Sequence, residues 1–153
     1  MRLNGPVAET HRTRTVAADP QMVWDVLADF GAISAWADNV DHSCLLSPHS
    51  QPVGIGTTRR VQVGRNTLVE RITAFDPPRT LGYDVEGFPR WLRVNNRWTL
   101  SPSAGATAVT LLSTVRVAGP LGRIVERIVL RASAKQLDVL LAALARRLEA
   151  HRV

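Results

Sequence analysis

One long helical stretch near the C-terminus limits the possible folds of this chain more than any other feature. It begins at Gly119-Pro120 and reaches about Ala150. Its apolar residues recur at spacings of three and four, the period of an amphipathic helix: Leu121, Ile124, Val125, Ile128, Leu137, Leu140, Leu141, Leu144 and Leu148. A stripe of this width requires a large apolar surface to pack against. The rest of the chain must therefore build that surface.

The segments before this helix have the composition and alternation of β-strands. We predict strands over residues 11–16, 40–46, 57–63, 66–75, 80–86, 91–100 and 107–117. Gly64-Arg65 forms a tight hairpin connection, and the two prolines of Asp76-Pro77-Pro78-Arg79 cannot continue a central strand. Short connections make neighbouring strands antiparallel. The pattern thus predicts an α+β fold in which a curved antiparallel sheet of about seven strands wraps round one long helix.

Two short helical segments are predicted between the first and second strands. Asp19 is a good N-cap residue and Pro20 suits the first helical position, so a short amphipathic helix begins there. Gly31 is expected to end it. Residues 32–37 then form a second short helical piece, anchored by Trp36.

The chain length limits the number of domains that the protein can contain. With 153 residues, it is predicted to hold a flexible N-terminus over residues 1–10 and a single domain over residues 11–150. No apolar stretch approaches the ~20 residues needed to span a bilayer. The first residues carry no secretion signal, and the single cysteine, Cys44, cannot form an intrachain disulfide. We therefore expect a cytoplasmic protein without a membrane span.

The net charge of +6 permits an anionic partner, but the basic residues are scattered rather than clustered. Arg123, Arg127 and Arg131 form the one basic stripe, at helical spacing. A solvated helix face is the favoured interpretation, and no nucleic-acid partner is expected. A ribosome-binding or protein-binding module is an alternative that depends on this stripe. We expect a monomer or a weak homodimer.

Three polar residues fall at positions where the strand period points toward the apolar side. They are Arg59, Glu70 and Tyr83, and their in-phase apolar neighbours are Val61, Val63, Leu68, Ile72, Leu81 and Val85. Charged side chains are almost never buried unless they are paired. Neighbouring strands that aim polar groups inward therefore indicate a lined cavity. A structural Arg–Glu pair is the alternative interpretation.

The order of these elements resembles the START-like superfamily (SRPBCC, helix-grip, Bet v 1-like), and in particular its bacterial polyketide cyclase/dehydrase-like branch. The resemblance covers nearly the whole chain. Its residue-level signals are Asp19-Pro20 before Val23-Trp24 and Leu27, Trp36 before Val40, Gly54-Ile55-Gly56-Thr57-Thr58-Arg59, Glu70, Asp76-Pro77-Pro78-Arg79 and Tyr83. Each signal is weak alone, and their order and spacing together are fairly specific to the superfamily.

This resemblance implies a cavity between the concave sheet and the C-terminal helix for a lipid, a polyketide or another mainly hydrophobic ligand with an acidic or carbonyl group. The residues expected to line it are Arg59, Val61, Glu70, Ile72, Tyr83, Asn96, Trp98, Leu111 and Leu137. Turns at residues 63–65 and 87–90 occupy the places of the gate and latch of related plant hormone receptors. This chain lacks the full gate sequence of those receptors, so we expect an ordinary cavity mouth.

The same inward residues support two kinds of function. In a binding or carrier protein, Arg59 meets Glu70 or an anionic group of the ligand. In a polyketide aromatase or cyclase, Glu70 and Tyr83 are the catalytic candidates: Glu70 moves protons, and Tyr83 stabilises developing enolate charge. Neither function requires a cofactor. Sequence alone leaves the choice open.

Other active centres lack support in the sequence. His11, His42, His49 and His151 show no metal-ligand spacing, and Cys44 has no cysteine partner for zinc, so no metal is expected. The glycines of Gly54-Ile55-Gly56 are followed by a strand rather than by a helix, which argues against a dinucleotide site.

Overall fold

The computed structural model describes residues 7–46 and 52–150 and contains one antiparallel sheet of seven strands. The strands are β1 (Val7–Val16), β2 (His42–Leu45), β3 (Thr58–Val63), β4 (Asn66–Asp76), β5 (Thr80–Glu86), β6 (Leu92–Ser103) and β7 (Ala106–Val117). Their order across the sheet is β1-β7-β6-β5-β4-β3-β2. The first strand begins at Val7, earlier than the predicted residue 11, because it pairs with β7 as far as Arg116. Part of the predicted 1–10 segment, residues 1–6, lies outside the described residues.

Within the same residues, two α-helices and one 3₁₀ helix accompany the sheet: α1 (Pro20–Ala28), the 3₁₀ helix (Phe30–Ala35) and α2 (Gly122–Glu149). The predicted N-cap is confirmed, since the Met22 amide donates to Asp19 Oδ1 at 2.9 Å. The first helix ends at Ala28, before the predicted Gly31, and Gly31 lies inside the 3₁₀ helix. The helix-grip architecture predicted from the sequence is confirmed.

The hairpin between β3 and β4 follows the predicted turn. Gly64 has a φ of +58°, a conformation that glycine adopts without steric cost. Val63 and Asn66 close the ladder on either side of the turn. The β3–β4 hairpin, the loop after β5 and the beginning of α2 all lie at one end of the sheet, called here the helix-start end.

The long helix packs on β1 and β7 mainly through its C-terminal half. Its buried residues begin only at Leu137 and continue to Leu148. Leu121, Ile124 and Ile128 are exposed, so the prediction that the whole apolar stripe faces the sheet is wrong for these residues. The reason is angular: at about 100° per residue, Ile128 lies about 160° round the helix from the fully buried Leu144.

The aromatic side chains of the short helices fill part of the concave face of the sheet. Trp36 meets Trp98 edge-on at 6.1 Å between ring centroids, and Trp24 meets Phe75 at 5.3 Å. These contacts agree with the packing role expected for Trp24 and Trp36. Among the described residues, no helix combines the length and apolarity required to cross a bilayer.

Candidate functional site

The three inward polar residues of the sequence analysis meet in one cluster. Arg59 and Glu70 are direct cross-strand partners on β3 and β4. The Nε and Nη2 atoms of Arg59 both lie 2.8 Å from Oε1 of Glu70. The two residues are only 3% and 8% exposed. The cluster therefore contains a buried, hydrogen-bonded ion pair.

Phe30 completes the surroundings of the guanidinium group. Its carbonyl oxygen accepts a hydrogen bond from Arg59 Nη1 at 2.9 Å. Its ring centroid lies 3.8 Å from Arg59 Cζ, and the Tyr83 ring centroid lies 4.8 Å away, so Arg59 is held by cation–π contacts as well. Phe30 was not among the predicted site residues. No sequence signal indicates the carbonyl contact, which depends on the position of the 3₁₀ helix.

Tyr83 is a neutral hydrogen-bonding group inside this cluster. Burial raises the pKa of its hydroxyl, and the nearby charge of Glu70 raises it further, while Arg59 opposes the shift. Trp98 Nε1 donates to the Tyr83 oxygen at 3.3 Å. Because this bond uses a lone pair of the oxygen, the phenol keeps its proton available for donation.

A polar strip crosses the inner face of the sheet next to Tyr83. Tyr83 on β5 is the cross-strand partner of Asn96 on β6, which in turn pairs with Ser113 on β7. The Asn96 side chain hydrogen-bonds to Tyr83 and remains half-buried. Ser113 Oγ is buried and lacks a hydrogen-bond partner within the described residues. Ser113 was not among the predicted site residues, although a serine in phase with Val109 and Leu111 was an available signal.

The remaining predicted wall residues are apolar and buried on the same side. Ile72 pairs with Tyr83 across the sheet, and Trp98 pairs with Leu111. Val61 lies on β3 and Leu137 on the helix that covers the sheet. Eight of the nine predicted residues are thus buried and Asn96 is half-buried, and their contact with a ligand stays a prediction.

A set of half-buried apolar side chains lies at the helix-start end of the sheet. We call it the apolar mouth and define it by the half-buried residues Val63, Leu68, Leu92, Val125 and Val129. The first three are at strand ends, and the last two are on the first turns of α2. None of the residues from Gly122 to Gln136 is fully buried, whereas the second half of the helix is tightly packed. The turns at 63–65 and 87–90, predicted to flank a cavity mouth, both lie at this end of the sheet.

A second concavity lies on the outer face of the sheet. It is a groove of about 720 Å³, and one wall is the loop over residues 87–90. Its lining includes residues of the outer face, namely Asp84, Glu86, Arg93, Asn95, Thr114 and Arg116. Asn95 bridges to Asp84, with its amide nitrogen 2.8 Å from Oδ1. Val85, Phe88, Leu92 and Val94 also line the groove, so its wall is mixed polar and apolar, and it does not include Arg59, Glu70 or Tyr83.

No group of three His, Cys, Asp or Glu side chains within the described residues is arranged to hold a metal ion. His49 and His151, which the sequence analysis considered as ligands, lie outside those residues.

The family model that matches this chain is described as polyketide cyclase/dehydrase and lipid transport, and it covers residues 7–149. The chain belongs to this family. The match runs from the first residue of β1 to the last residue of α2, so the sheet, the buried cluster and the apolar mouth all lie within it. No curated protein matches the sequence.

Solved structures similar to this one support the same fold assignment. A START superfamily protein from Mycobacterium smegmatis has a TM-score of 0.76 at 17% identity, covering 93% of this chain and 97% of its own. An aromatase/cyclase from Streptomyces sp. R1128 has a TM-score of 0.71 at 22% identity, covering 97% of this chain and all (100%) of its own. At these identities the likeness concerns the fold.

A third similar structure is larger than this chain. It is the di-domain aromatase/cyclase BexL from the BE-7585A biosynthetic pathway, with a TM-score of 0.76 and 18% identity. The match covers 95% of this chain and 51% of BexL. Family membership and fold together indicate a polyketide cyclase-type domain for hydrophobic ligands.

Proposed function

We propose that the protein binds one small, mainly hydrophobic molecule between the sheet and the first half of α2. The molecule is a lipid, a polyketide or a similar compound with an acidic or carbonyl group. The observation that carries the proposal is the apolar mouth, where side chains of the strand ends and of the first half of α2 are left half-buried. Burial of these half-exposed apolar side chains by an apolar ligand is favourable, because it removes apolar surface from water.

The polar strip supplies a complementary partner for the head of such a ligand. Ser113 Oγ has no hydrogen-bond partner in the described part of the chain, and the hydroxyl of Tyr83 retains a proton to donate. Both groups are suited to a carbonyl or carboxyl oxygen. We propose that the bound ligand places its polar group at the polar strip and its apolar tail at the apolar mouth.

Arg59 has a positioning role in this proposal. It is already satisfied by Glu70, the Phe30 carbonyl and two aromatic rings. We therefore assign it chiefly to fixing the ring of Tyr83 and the carboxylate of Glu70. The protein is proposed to act in the cytoplasm, in agreement with its single cysteine.

A steric block at the mouth tests the binding proposal. Val129→Trp adds bulk at the apolar mouth, and Val139→Trp adds the same volume at a half-buried position ten residues later on the same helix, about 140° round it from the buried Leu144. Native mass spectrometry of the purified proteins should detect a bound small molecule in the wild type and in Val139→Trp, but not in Val129→Trp. Equal occupancy in the two variants would contradict a site at the mouth.

The alternative function is a polyketide aromatase or cyclase that uses the same interior. The observation that favours it is the neutral Tyr83 hydroxyl on β5, diagonal to Glu70 on β4 and near enough for the charge of Glu70 to raise the pKa of Tyr83. In such a reaction Tyr83 stabilises an enolate oxygen and Glu70 accepts the proton from the neighbouring carbon. Incubation with a poly-β-keto thioester should then give an aromatic product, with Tyr83→Phe and Glu70→Gln each slowing it about 100-fold or more. Absence of turnover in the wild type leaves the binding function as the better account.

A further inference from the structure

Large apolar side chains are exposed at the helix-start end of the molecule. Leu121, Ile124 and Ile128 on the first turns of α2 are 66%, 62% and 64% exposed. Phe88 and Trp91, in the loop between β5 and β6, are exposed as well. The loop and the helix start are tied together, because the Ala118 amide donates to the Trp91 carbonyl at 2.9 Å. We call these five residues the apolar end patch.

The helical members of this patch point away from the sheet and are distinct from the residues of the apolar mouth. Ile124 is about 200° round the helix from the buried Leu144, and Ile128 is about 160° from it. The mouth residues Val125 and Val129 lie between the patch and the sheet. A ligand in the interior would therefore leave Ile124 and Ile128 exposed, and their exposure needs a different partner.

Several arginines lie at the same end of the molecule as the apolar end patch. Arg123, Arg127 and Arg131 flank the isoleucines on α2, and all three are exposed. Arg93 and Arg116 are direct cross-strand partners on the outer face, a like-charge pairing that destabilises a sheet until an anion neutralises it. Within residues 7–46 and 52–150, these arginines form no ion pair. The exposed apolar groups and the unpaired positive charge therefore occupy the same end.

We propose that this end docks on the surface of an anionic lipid bilayer. The isoleucines and Leu121 insert among the acyl chains near the head groups, Trp91 lies at the interface, and the arginines contact lipid phosphates. Aliphatic side chains beside the arginines of α2 favour lipid over nucleic acid, whose backbone offers them no apolar surface. The inference stands on surface residues and does not depend on the ligand proposed for the interior.

Vesicle flotation tests this docking directly. The probes are vesicles of phosphatidylcholine alone and of phosphatidylcholine with phosphatidylserine. The wild type should bind the anionic vesicles, and binding should weaken as salt is raised. The affinity of the double variant Ile124→Ser/Ile128→Ser for the anionic vesicles should fall more than about tenfold, because less apolar area is buried in the bilayer. Arg123→Gln/Arg127→Gln should lose about fivefold for each arginine.

Matched controls lie at the opposite end of the molecule. Met22→Ser removes an exposed apolar residue of α1, and Arg14→Gln removes an exposed arginine of β1. Both should bind anionic vesicles as the wild type does. Vesicle binding that survives Ile124→Ser/Ile128→Ser overturns the proposal, because the patch then makes no contact with lipid.

Two other occupants of the patch are excluded or revealed by parallel measurements. Sedimentation equilibrium measures whether the wild type forms a dimer and whether Ile124→Ser/Ile128→Ser dissociates it. If such a dimer is found and the protein does not bind vesicles, the patch binds a second copy of the chain and lipid docking is overturned. Salt-sensitive co-sedimentation with ribosomes, without vesicle binding, overturns it in favour of the ribosome-binding alternative.

Discussion

Arg59 occupies a position where each of its contacts depends on a different part of the chain. Glu70 comes from the next strand, the Phe30 carbonyl from the 3₁₀ helix and the Tyr83 ring from β5. A buried charge that loses its partner retains its desolvation cost without compensation. The cluster therefore joins the short helices to the sheet.

Removal of one partner of the buried pair should be strongly destabilising. Arg59→Ala leaves Glu70 buried and unpaired, and the free energy of unfolding should fall by about 3–5 kcal/mol in urea denaturation. The matched control is the exposed pair Arg71–Glu86, joined at 3.1 Å, where Arg71→Ala should cost at most about 1 kcal/mol. Similar small losses in both variants would mean that water reaches the Arg59–Glu70 pair.

The stability of the protein should depend on Tyr83 at alkaline pH. Burial raises the pKa of this phenol above its ordinary value of 10.0 in the folded state. The unfolded chain therefore loses the proton first, so the stabilisation is complete below about pH 10 and declines as pH rises through the folded-state pKa. In urea denaturation, Tyr83→Phe should reduce this alkaline decline.

Tyr83 can be followed directly, because it is the only tyrosine of the chain. Ultraviolet difference absorption of tyrosinate should give a midpoint above 10 in the folded protein and near 10 in denaturant. A folded-state midpoint at the unfolded value would show that the hydroxyl is hydrated.

The long helix α2 consists of two halves with different surroundings. Leu137–Leu148 packs against the sheet, and Gln136 and Arg146 hydrogen-bond to Asn39 and Asp38 before β2. The first half has half-buried residues on one side and the apolar end patch on the other. This asymmetry predicts that the first half of α2 opens locally more readily than the second half.

The two halves should respond differently to truncation of one large side chain. Leu144→Ala removes a fully buried side chain and should lower the free energy of unfolding by about 2–5 kcal/mol. Ile128→Ala, on the same helix, should change it by no more than about 0.5 kcal/mol. Hydrogen exchange should likewise be faster for amides of residues 123–131 than for those of 137–148. Uniform protection along α2 would contradict an open mouth.

At the scale of the whole molecule, the sequence pattern predicted the architecture because period-two alternation and one long helix leave few ways to bury their apolar faces. It also placed Arg59, Glu70 and Tyr83 inward correctly, since strand phase alone decides that. It did not predict the Phe30 carbonyl contact or the unpartnered Ser113 hydroxyl, which depend on how separate elements meet. The exposure of Ile124 and Ile128 was also missed, because a broad apolar stripe does not tell which side of it faces the sheet.

The proposed hydrophobic ligand lies between the sheet and the first half of α2, and a crystal structure of the protein with a long-chain fatty acid would show whether it binds there. We expect an acyl chain between Val129 and the ends of β3 and β4, with its carboxyl group near Ser113 and Tyr83. An unchanged, solid interior with the fatty acid in the outer groove by Arg93 and Arg116 would contradict it.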